Sequence, residues 1–420
     1  MDVTTDPFTQ EEVCEQATGN AGALSLLLLA YAREQGEPFA EAARFAGRIF
    51  APGWDTEQGK GAREAAKWTA LNAVSCGATL GRLEGFEIEV ERGAGEAAGF
   101  PDAAYAGAEF ADAASVAGQA DVLLCVQPPS DAATSSMKEG AALIGQLRPH
   151  NAADRLATYA QRKLAAFSLE LLPRSTRAQA MDVLSSQAAV AGYRAMLIAA
   201  EAAPKFFPML TTAAGTLRPS KVLVIGAGVA GLQAIATARR LGAMVEGFDV
   251  RPETREQIES LGAKFLDLGV NAAGEGGYAR ELSAGERAAQ QAKLAEHVKT
   301  VDVIVTTAAV PGRPSPKIIP ASMVDGMKPG AVIVDLAAEG GGNCEATEPG
   351  ERVERNGVTI IGPLNLPSGA PLHASEMYAR NLAHFSELVV ADGAWKPDFE
   401  DELVAKTCVA RDGEAVFGKS

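Results

Sequence analysis

A glycine-rich turn between an apolar strand and a helix constrains the fold of this chain more than any other feature. The run from Gly226 to Gly231 reads Gly-Ala-Gly-Val-Ala-Gly, follows the apolar segment Lys221 to Ile225 and opens a helical pattern. Gly226 permits the tight turn, Gly228 lets the backbone approach a pyrophosphate, and Gly231 allows helix and strand to pack closely. The run therefore predicts the phosphate loop of a dinucleotide-binding βαβ unit, in which the helix N-terminus offers amides to phosphates.

The strand after this helix ends in an acidic residue. Asp249 lies eighteen residues after Gly231, where a carboxylate accepts the ribose hydroxyls of adenosine. A carboxylate there repels a 2′-phosphate, so the sequence favours NAD(H) over NADP(H), although Arg251 weakens that inference. Val229, Val250 and Arg251 complete the predicted contacts of this half of the site. The alternative is that the glycines merely pack a βα turn.

Short apolar runs alternate with helical patterns along most of the chain, which indicates parallel sheets covered by helices. The predicted fold is α/β, with two Rossmann-like, doubly wound parallel-sheet domains joined by a long helix from Ala178 to Ala203. The first domain comprises residues 83-185 plus 367-420, the NAD(H)-binding domain comprises 186-366, and residues 1-82 stay unassigned. The predicted strand runs are Phe86 to Val90, Ala120 to Val126, Leu164 to Leu172, Lys221 to Ile225, Met244 to Val250, Val301 to Val305, Ala331 to Leu336 and Val358 to Ile361.

Charge and cysteine content exclude several function classes. The net charge of −15 and the isoelectric point near 4.9 disfavour nucleic acid and anionic lipid as partners. The apolar run from Ala21 to Ala32 is shorter than the roughly 20 residues that a membrane span requires, and it lacks the basic flank of a signal peptide. The five cysteines are widely spaced without a Cys-x-x-Cys pair, which argues against disulfides and a zinc site. We expect no metal and a reducing cytoplasm.

Two loops extend the candidate site. The segment Thr306 to Gly312 follows a strand run at the carboxyl end of the sheet, where open α/β folds bind ligands. Thr307 and Ala309 are therefore predicted to line the nicotinamide side, and an ordinary connecting loop is the alternative. The segment Asn271 to Arg280 carries glycines around Tyr278, a pattern typical of a mobile flap over a site. A flexible loop without a function fits that composition equally well.

From about Gly85 to the C-terminus the sequence resembles the alanine dehydrogenase and nicotinamide nucleotide transhydrogenase family. Within the family, it is more similar to the NAD(H)-binding alpha subunit of proton-translocating transhydrogenase. The stretches that carry the resemblance are Pro173 to Gln187, Gly226 to Gly242, Gly276 to Ala279, Thr306 to Pro314, Asp335 to Cys344 and Thr407 to Gly413.

The resemblance implies roles for residues outside the glycine loop. In the family, the loop that matches Arg174, Gln179, Asp182 and Ser185 reaches over the nicotinamide and its ribose, and the tyrosine that matches Tyr278 lies on a closing flap. These five residues are expected to position the reactants rather than to transfer protons. Capping and solvation of a helix are the alternative for the polar cluster. The cofactor contacts implied in addition are those of Arg174, Ser175, Thr176, Glu275 and Gln290.

The family divides by chemistry. An amino-acid dehydrogenase needs a cation for the substrate carboxylate and an acid or base for the imine and carbinolamine protons. Family members of that kind use a lysine and a histidine, but the corresponding segments here, Cys125 to Pro129 and Ile144 to Leu147, hold neither. Nearby His150 is interpreted as a solvated surface residue. Hydride transfer between two nicotinamides moves no such proton, so it requires positioning alone. An amino-acid dehydrogenase and a non-catalytic NAD-sensing module remain as alternatives.

The resemblance also implies partners. They are a membrane subunit that conducts protons, an NADP(H)-binding subunit, and a second copy of this chain in a homodimer. Since no hydrophobic segment follows residue 400, we expect no membrane span and peripheral docking on the cytoplasmic face of the cell membrane. One departure stands out, because residues 1-82 lack the family's first strand and its Pro-Lys/Arg-Glu loop. Either this region replaces the strand at the sheet edge, or the N-terminus is not the native reading.

Overall fold

The computed structural model describes residues 88–105, 108–269, 283–309, 312–391 and 394–418. The predictions for residues 1-82, Glu275 and Tyr278 lie outside these residues. The described residues divide into two compact units, one that extends up to Val116 and includes Val390–Lys396, and one that comprises Ala117–Val389 and the residues from Pro397 onward. The domain boundaries within the larger unit stay a prediction.

The strands of the described residues are short, and most belong to two sheets of the larger unit. In chain order they are β1 (Glu89–Glu91), β2 (Glu109–Ala111), β3 (Val122–Leu124), β4 (Ala142–Gly145), β5 (Ala165–Ser168), β6 (Leu210–Thr212), β7 (Gly215–Leu217), β8 (Lys221–Ile225), β9 (Met244–Phe248), β10 (Lys264–Phe265), β11 (Val303–Thr306), β12 (Val332–Asp335), β13 (Arg352–Arg355), β14 (Val358–Ile361), β15 (Val390–Ala391), β16 (Ala394–Trp395), β17 (Cys408–Arg411) and β18 (Glu414–Ala415).

The α-helices alternate with these strands. They are α1 (Ala113–Gln119), α2 (Asp131–Ser136), α3 (Ala153–Gln161), α4 (Val183–Ala202), α5 (Val229–Arg240), α6 (Thr254–Ser260), α7 (Ala284–Val298), α8 (Ala321–Asp325), α9 (Pro371–Val389) and α10 (Glu402–Thr407). In the smaller unit, β1 pairs in parallel with β2, and β15 pairs antiparallel with β16.

The seven-stranded sheet of the larger unit has the order β10-β9-β8-β11-β12-β14-β13. All of its pairs are parallel except β13 with β14. The chain starts at β8, moves outward to β10, and returns to β11 on the other side of β8. This reversal is the topological switch point at which doubly wound sheets bind dinucleotides. The order confirms the predicted Rossmann-like α/β class.

Successive side chains of the central strands enter two different cores. Val222 and Val224 pack on one face with residues of α4 and α5. Leu223 and Ile225 pack on the other face with residues of α7 and α8. Because side chains alternate across a strand, the continuous apolar runs of β8, β11 and β12 require helices on both faces. The same strands therefore fix where the loop at each carboxyl end lies.

The five-stranded sheet has the order β18-β17-β5-β4-β3. Within this sheet, β3, β4 and β5 are parallel to one another. The hairpin of β17 and β18 lies at the edge of the sheet, where β17 pairs antiparallel with β5. The tail thus returns to this sheet. The predicted strand from Leu164 to Leu172 is too long, since β5 ends at Ser168 and a 3-10 turn follows. Within this turn, the carboxylate of Glu170 accepts hydrogen bonds from the amides of Leu147 and Arg148.

The long helix α4 packs against α5, α9, β11 and β12. It begins at Val183 rather than at the predicted Ala178, because the Asp182 side chain caps it by accepting a hydrogen bond from the amide of Ser185. Among the described residues, α4 alone is long and apolar enough to cross a membrane by length and composition. In the structure it packs against the sheet and two helices, and 33% of its apolar stretch is buried.

Candidate functional site

The phosphate loop lies between β8 and α5. The chain turns at Gly226 with a φ of 97°, in the left-handed region that favours glycine. A Cβ on Gly231 would overlap the carbonyl oxygen of Gly226, so the first turn of α5 lies directly against the loop. The geometry thus requires glycine at both positions.

Gly228 has a different environment from the other two glycines. A Cβ built on it meets no atom within 4 Å, so the space in front of its backbone is open. Gly228 is the N-cap residue of α5, no side chain caps this helix end, and Val229 at the first helical position is 43% exposed. Uncapped amides beside open space fit a pyrophosphate, which a helix N-terminus attracts by its amides and its dipole.

Asp249 lies beside this loop, one residue after β9, and is almost fully buried. Its Oδ2 accepts hydrogen bonds from the amide of Ala227 at 2.7 Å and from Nη2 of Arg251 at 2.8 Å. Its Oδ1 accepts two more, each 2.9 Å long, from the amide and from Nε of Arg251. Burial alone would raise the pKa of Asp249, but the hydrogen bonds from Arg251 and Ala227 outweigh it and lower the pKa.

The four hydrogen bonds of Asp249 bear on the predicted ribose contact. A carboxylate has about four lone-pair sites, and here the guanidinium of Arg251 takes two of them. Ribose hydroxyls therefore reach Asp249 only if the Arg251 side chain shares or yields its place. The side chain of Arg251 is 17% exposed, so it has a path towards solvent.

The loop after β11 lies beside the phosphate loop. Oγ1 of Thr307 donates a hydrogen bond to the carbonyl oxygen of Gly226 at 3.1 Å, and the Thr307 amide donates to that of Ile225 at 2.9 Å. Ala309, two residues further, is exposed. The structure thus brings Thr307 next to Gly226 at the switch point, and Ala309 follows two residues later in the same loop.

A second set of predicted residues lies at the start of α4. Gln179, Asp182 and Ser185 line a cavity of about 420 Å³ together with Met377, Arg380, Asn381 and His384 of α9. Asp182 caps α4, and its Oδ2 also accepts a hydrogen bond from Oγ of Ser185 at 2.6 Å. The capping interpretation of this pair therefore holds in the structure, and both side chains also line this cavity, which is broadly open to solvent.

The remaining predicted contacts differ in exposure. Arg174, Ser175 and Thr176 are exposed in the segment before α4. Val250 is partly buried against the core. Gln290 lies on α7 and is 7% exposed, so little of its side chain is open to a ligand. Within the described residues, no three His, Cys, Asp or Glu side chains form a metal-binding group.

The carboxyl ends of β3 and β4 hold no proton-transfer group at the places where the dehydrogenases of the family were expected to have one. Burial, and to a smaller extent Glu170, raises the pKa of the Cys125 thiol to about 12. The backbone carbonyl of Cys125 accepts a hydrogen bond from the buried Tyr378 hydroxyl at 2.7 Å. The thiol therefore stays protonated at neutral pH. His150 is exposed, as predicted, and its ring packs edge-on against Phe417 with centroids 5.1 Å apart.

Two family models match consecutive parts of the chain. The N-terminal domain of alanine dehydrogenase/PNT matches residues 75–191, and the C-terminal domain of alanine dehydrogenase/PNT matches residues 195–418. The chain belongs to the alanine dehydrogenase/PNT family. The predicted membership is confirmed, and the match begins at residue 75, before the expected start near Gly85.

The relatives place the chain within this alanine dehydrogenase/PNT family. It is 47% identical over 348 residues to the first part of subunit alpha of NAD(P) transhydrogenase from Rhodospirillum rubrum. The match covers 79% of this chain and 90% of the relative. It is 29% identical over 341 residues to alanine dehydrogenase of Mycolicibacterium smegmatis, covering 79% and 86%. The crystal structure of transhydrogenase from Sinorhizobium meliloti has a TM-score of 0.72 at 46% identity, with 79% of this chain and 92% of that chain covered. The chain is thus a member of the transhydrogenase alpha-subunit branch.

Two groups of residues near the candidate site were not predicted from the sequence. Arg380, Asn381 and His384 line the cavity from α9, and their spacing on one helix face within an apolar pattern was the available signal. Asp335 and Asn343 are fully buried polar residues beside the loop after β11. The signal there was a glycine run between two polar residues directly after a strand, Asp335-Leu-Ala-Ala-Glu-Gly-Gly-Gly-Asn343.

Proposed function

We propose that this chain is the NAD(H)-binding subunit of a proton-translocating transhydrogenase and that it presents NADH for direct hydride transfer to NADP⁺. The observation that carries the proposal is the open, uncapped phosphate loop at the switch point with Asp249 beside it. When bound, NADH supplies a hydride from C4 of its nicotinamide ring. The protein then has to hold that carbon near the acceptor and exclude water.

The adenosine half would bind beside β8 and β9. Gly226, Gly228, Val229 and Gly231 would surround the pyrophosphate, and Asp249 would accept the ribose hydroxyls, with Val250 and Arg251 alongside. The open space at Gly228 and the exposed Val229 support this assignment. NAD(H) is preferred because the buried carboxylate would repel a 2′-phosphate.

The nicotinamide half would lie towards β11 and the start of α4. Thr307 and Ala309 would line it from the loop after β11, and Arg174, Gln179, Asp182 and Ser185 would position the ring and its ribose from the other side. Ser175, Thr176, Glu275, Gln290 and Tyr278 complete the proposed contacts. The cavity lined by Gln179, Asp182 and Ser185 supports a ligand-binding role for that segment.

Direct transfer needs no acid or base, and two features of the first sheet agree with that requirement. The Cys125 thiol is held protonated by burial. The Glu170 carboxylate accepts the amides of Leu147 and Arg148 at 2.9 and 3.0 Å, so it is engaged with the backbone. Neither group is therefore placed to act as the acid or base that a keto acid and ammonia would require.

The partners in this proposal are a membrane subunit that conducts protons, an NADP(H)-binding subunit, and a second copy of the chain. The hairpin of β6 and β7 supports the homodimer, because both strands are exposed and the segment presents large apolar side chains. Those with the greatest exposure are Phe206, Met209, Leu210 and Leu217. A patch of this kind marks a protein interface more often than a solvated surface. The complex would lie at the cytoplasmic face of the cell membrane, with this chain docked peripherally.

The test is to mix the purified full-length chain with a purified NADP(H)-binding subunit and to follow reduction of an NAD analogue by NADPH. We expect hydride exchange only in the mixture. The same chain is assayed alone with NADH, a 2-keto acid and ammonia, where we expect no turnover. NADH binding without exchange in the mixture contradicts the proposal and favours an NAD-sensing module. Turnover of the keto acid by the chain alone favours an amino-acid dehydrogenase.

A further inference from the structure

Asn343 joins the loop after β12 to the loop after β11. Its side chain is fully buried, and its Nδ2 donates hydrogen bonds to the carbonyl oxygens of Ala308 at 2.7 Å and of Pro316 at 2.9 Å. Its Oδ1 accepts the amide of Ala308 at 3.0 Å. A single side chain therefore pairs with both backbone groups of Ala308, as a neighbouring strand would.

Asp335 holds the loop that carries Asn343. Its Oδ1 accepts hydrogen bonds from Oγ1 of Thr306 at 2.8 Å and from the amide of Ala337 at 3.0 Å. Its Oδ2 accepts the amide of Cys344 at 3.0 Å and Oγ1 of Thr347 at 2.7 Å. The carboxylate is fully buried and all four of its lone-pair sites are used, so it holds this loop at several points.

The two anchors of the loop after β11 meet at neighbouring residues. Asn343 fixes Ala308, and the Thr307 hydroxyl bonds the carbonyl of Gly226 in the phosphate loop. Hydrogen bonds, joined by the backbone between Asn343 and Cys344 and between Thr307 and Ala308, thus link Asp335 to the turn at Gly226. They hold the backbone of Ala308 next to the phosphate loop.

We propose that Asn343 is a positioning residue for the nicotinamide end of the bound dinucleotide. The inference rests on the proposed function, in which the backbone near Ala309 lines the nicotinamide. In a doubly wound sheet the second mononucleotide lies over the strands beyond the switch point, here β11 and β12. The buried Asn343 side chain contacts the loop after β11 at Ala308 and Pro316. It would act through Ala308 and Ala309, without touching the ligand.

The consequence is specific to one half of the ligand. Displacing Ala308 by a fraction of an ångström shifts the nicotinamide relative to its acceptor, and hydride transfer depends steeply on that distance. The adenosine contacts at Asp249 and Gly228 lie on the opposite side of the switch point, next to β9 and α5. Loss of the Asn343 clamp should therefore weaken the nicotinamide contacts and leave adenosine binding intact.

The experiment compares NADH with ADP-ribose, which lacks the nicotinamide, on the full-length chain. Asn343→Asp keeps the shape and the acceptor but turns an oxygen towards the carbonyls of Ala308 and Pro316, and Asn343→Ser removes the clamp without adding charge. Ser315→Ala is the matched control, because its hydroxyl bonds the carbonyl of Ala337 at 3.2 Å and joins the same two loops without contacting Ala308. Dissociation constants are measured by calorimetry, and the emission of bound NADH reports the nicotinamide environment.

We expect both Asn343 variants to weaken NADH at least fivefold while ADP-ribose stays within twofold of the parent, with a changed emission of bound NADH. Ser315→Ala should keep the parental ratio of the two affinities. The proposal is overturned if a variant that binds ADP-ribose normally also keeps the parental NADH affinity and emission. It is equally overturned if both Asn343 variants lose the two ligands in the same proportion. A parent chain that binds neither ligand would instead contradict the proposed function.

Discussion

The pairing of Asp249 with Arg251 makes a quantitative prediction about Asp249→Asn. The carboxylate accepts two hydrogen bonds from the guanidinium and two from backbone amides, all between 2.7 and 2.9 Å. An asparagine has one acceptor oxygen, so an NH₂ group must face donors on its other side. Hydrogen bonds to charged groups contribute about 1.5–3 kcal/mol each, and Arg251 can recover part of that by turning to solvent. We expect a loss of about 2–4 kcal/mol of unfolding free energy.

Urea unfolding of the full-length chain measures this loss, with Asp267→Asn as the matched control. Asp267 also pairs with an arginine, Arg255 at 2.6 Å, but its side chain is 61% exposed. Exposed pairs contribute about 0–1 kcal/mol. If Asp249→Asn destabilises the chain no more than Asp267→Asn, the buried hydrogen bonds of Asp249 do not contribute the stability that their geometry predicts.

The pKa of Asp249 fixes how this difference depends on pH. Although burial would raise the pKa, the hydrogen bonds hold it below its ordinary value of 3.8. A carboxyl group whose pKa is lowered by folding stabilises the protein above its unfolded pKa and loses that contribution as pH falls through the folded pKa. The gap between the parent and Asp249→Asn should be full at pH 7 and shrink below about pH 4. A gap that grows on acidification would contradict the assignment.

Three further variants test the site. Arg251→Ala should raise the dissociation constant of NADPH about tenfold relative to that of NADH, because the variant lacks the cation nearest a 2′-phosphate. If calorimetric titrations find an unchanged ratio of the two constants, Arg251 does not face the ribose. Asp182→Ser keeps a side chain that can cap α4, so the melting temperature of the variant should stay near that of the parent. The rate of hydride transfer should fall at least tenfold, which corresponds to an activation barrier higher by about 1.4 kcal/mol. Transfer at the parental rate would mean that Asp182 only caps the helix. Glu170→Gln should lower the unfolding free energy by about 1–2 kcal/mol and leave the pH profile of hydride transfer unchanged; a shifted profile would identify Glu170 as a proton-transfer group.

The central part of the fold follows from local sequence patterns. The apolar strand, the glycine turn and the acidic residue after the next strand are close together in sequence, so spacing alone predicted β8, α5 and β9. The antiparallel hairpin at the edge of the five-stranded sheet did not follow, because β17 pairs with β5 across more than 200 residues. Short, non-local pairings leave little trace in periodicity.

Side-chain partners were harder to predict than elements. Asp249 was assigned correctly to the end of a strand, but its hydrogen bonds to Arg251 depend on rotamers that a sequence does not specify. The Asn343 side chain bonds to backbone groups of Ala308 and Pro316. Every residue carries such backbone groups, so the sequence does not reveal which of them Asn343 contacts. The helix start at Val183 was missed because the capping role of Asp182 was outweighed by the alanine-rich pattern before it.

Direct passage of a hydride from NADH to NADP⁺ on a partner subunit, without exchange with water, can be followed with an isotope. The most direct test uses NADH deuterated at the transferred position of C4, the full-length chain and a purified NADP(H)-binding subunit. Mass spectrometry of the NADPH formed should find the deuterium at C4 of its nicotinamide, as expected for transfer that needs no acid or base. NADPH that carries hydrogen from the solvent at that carbon would contradict direct transfer.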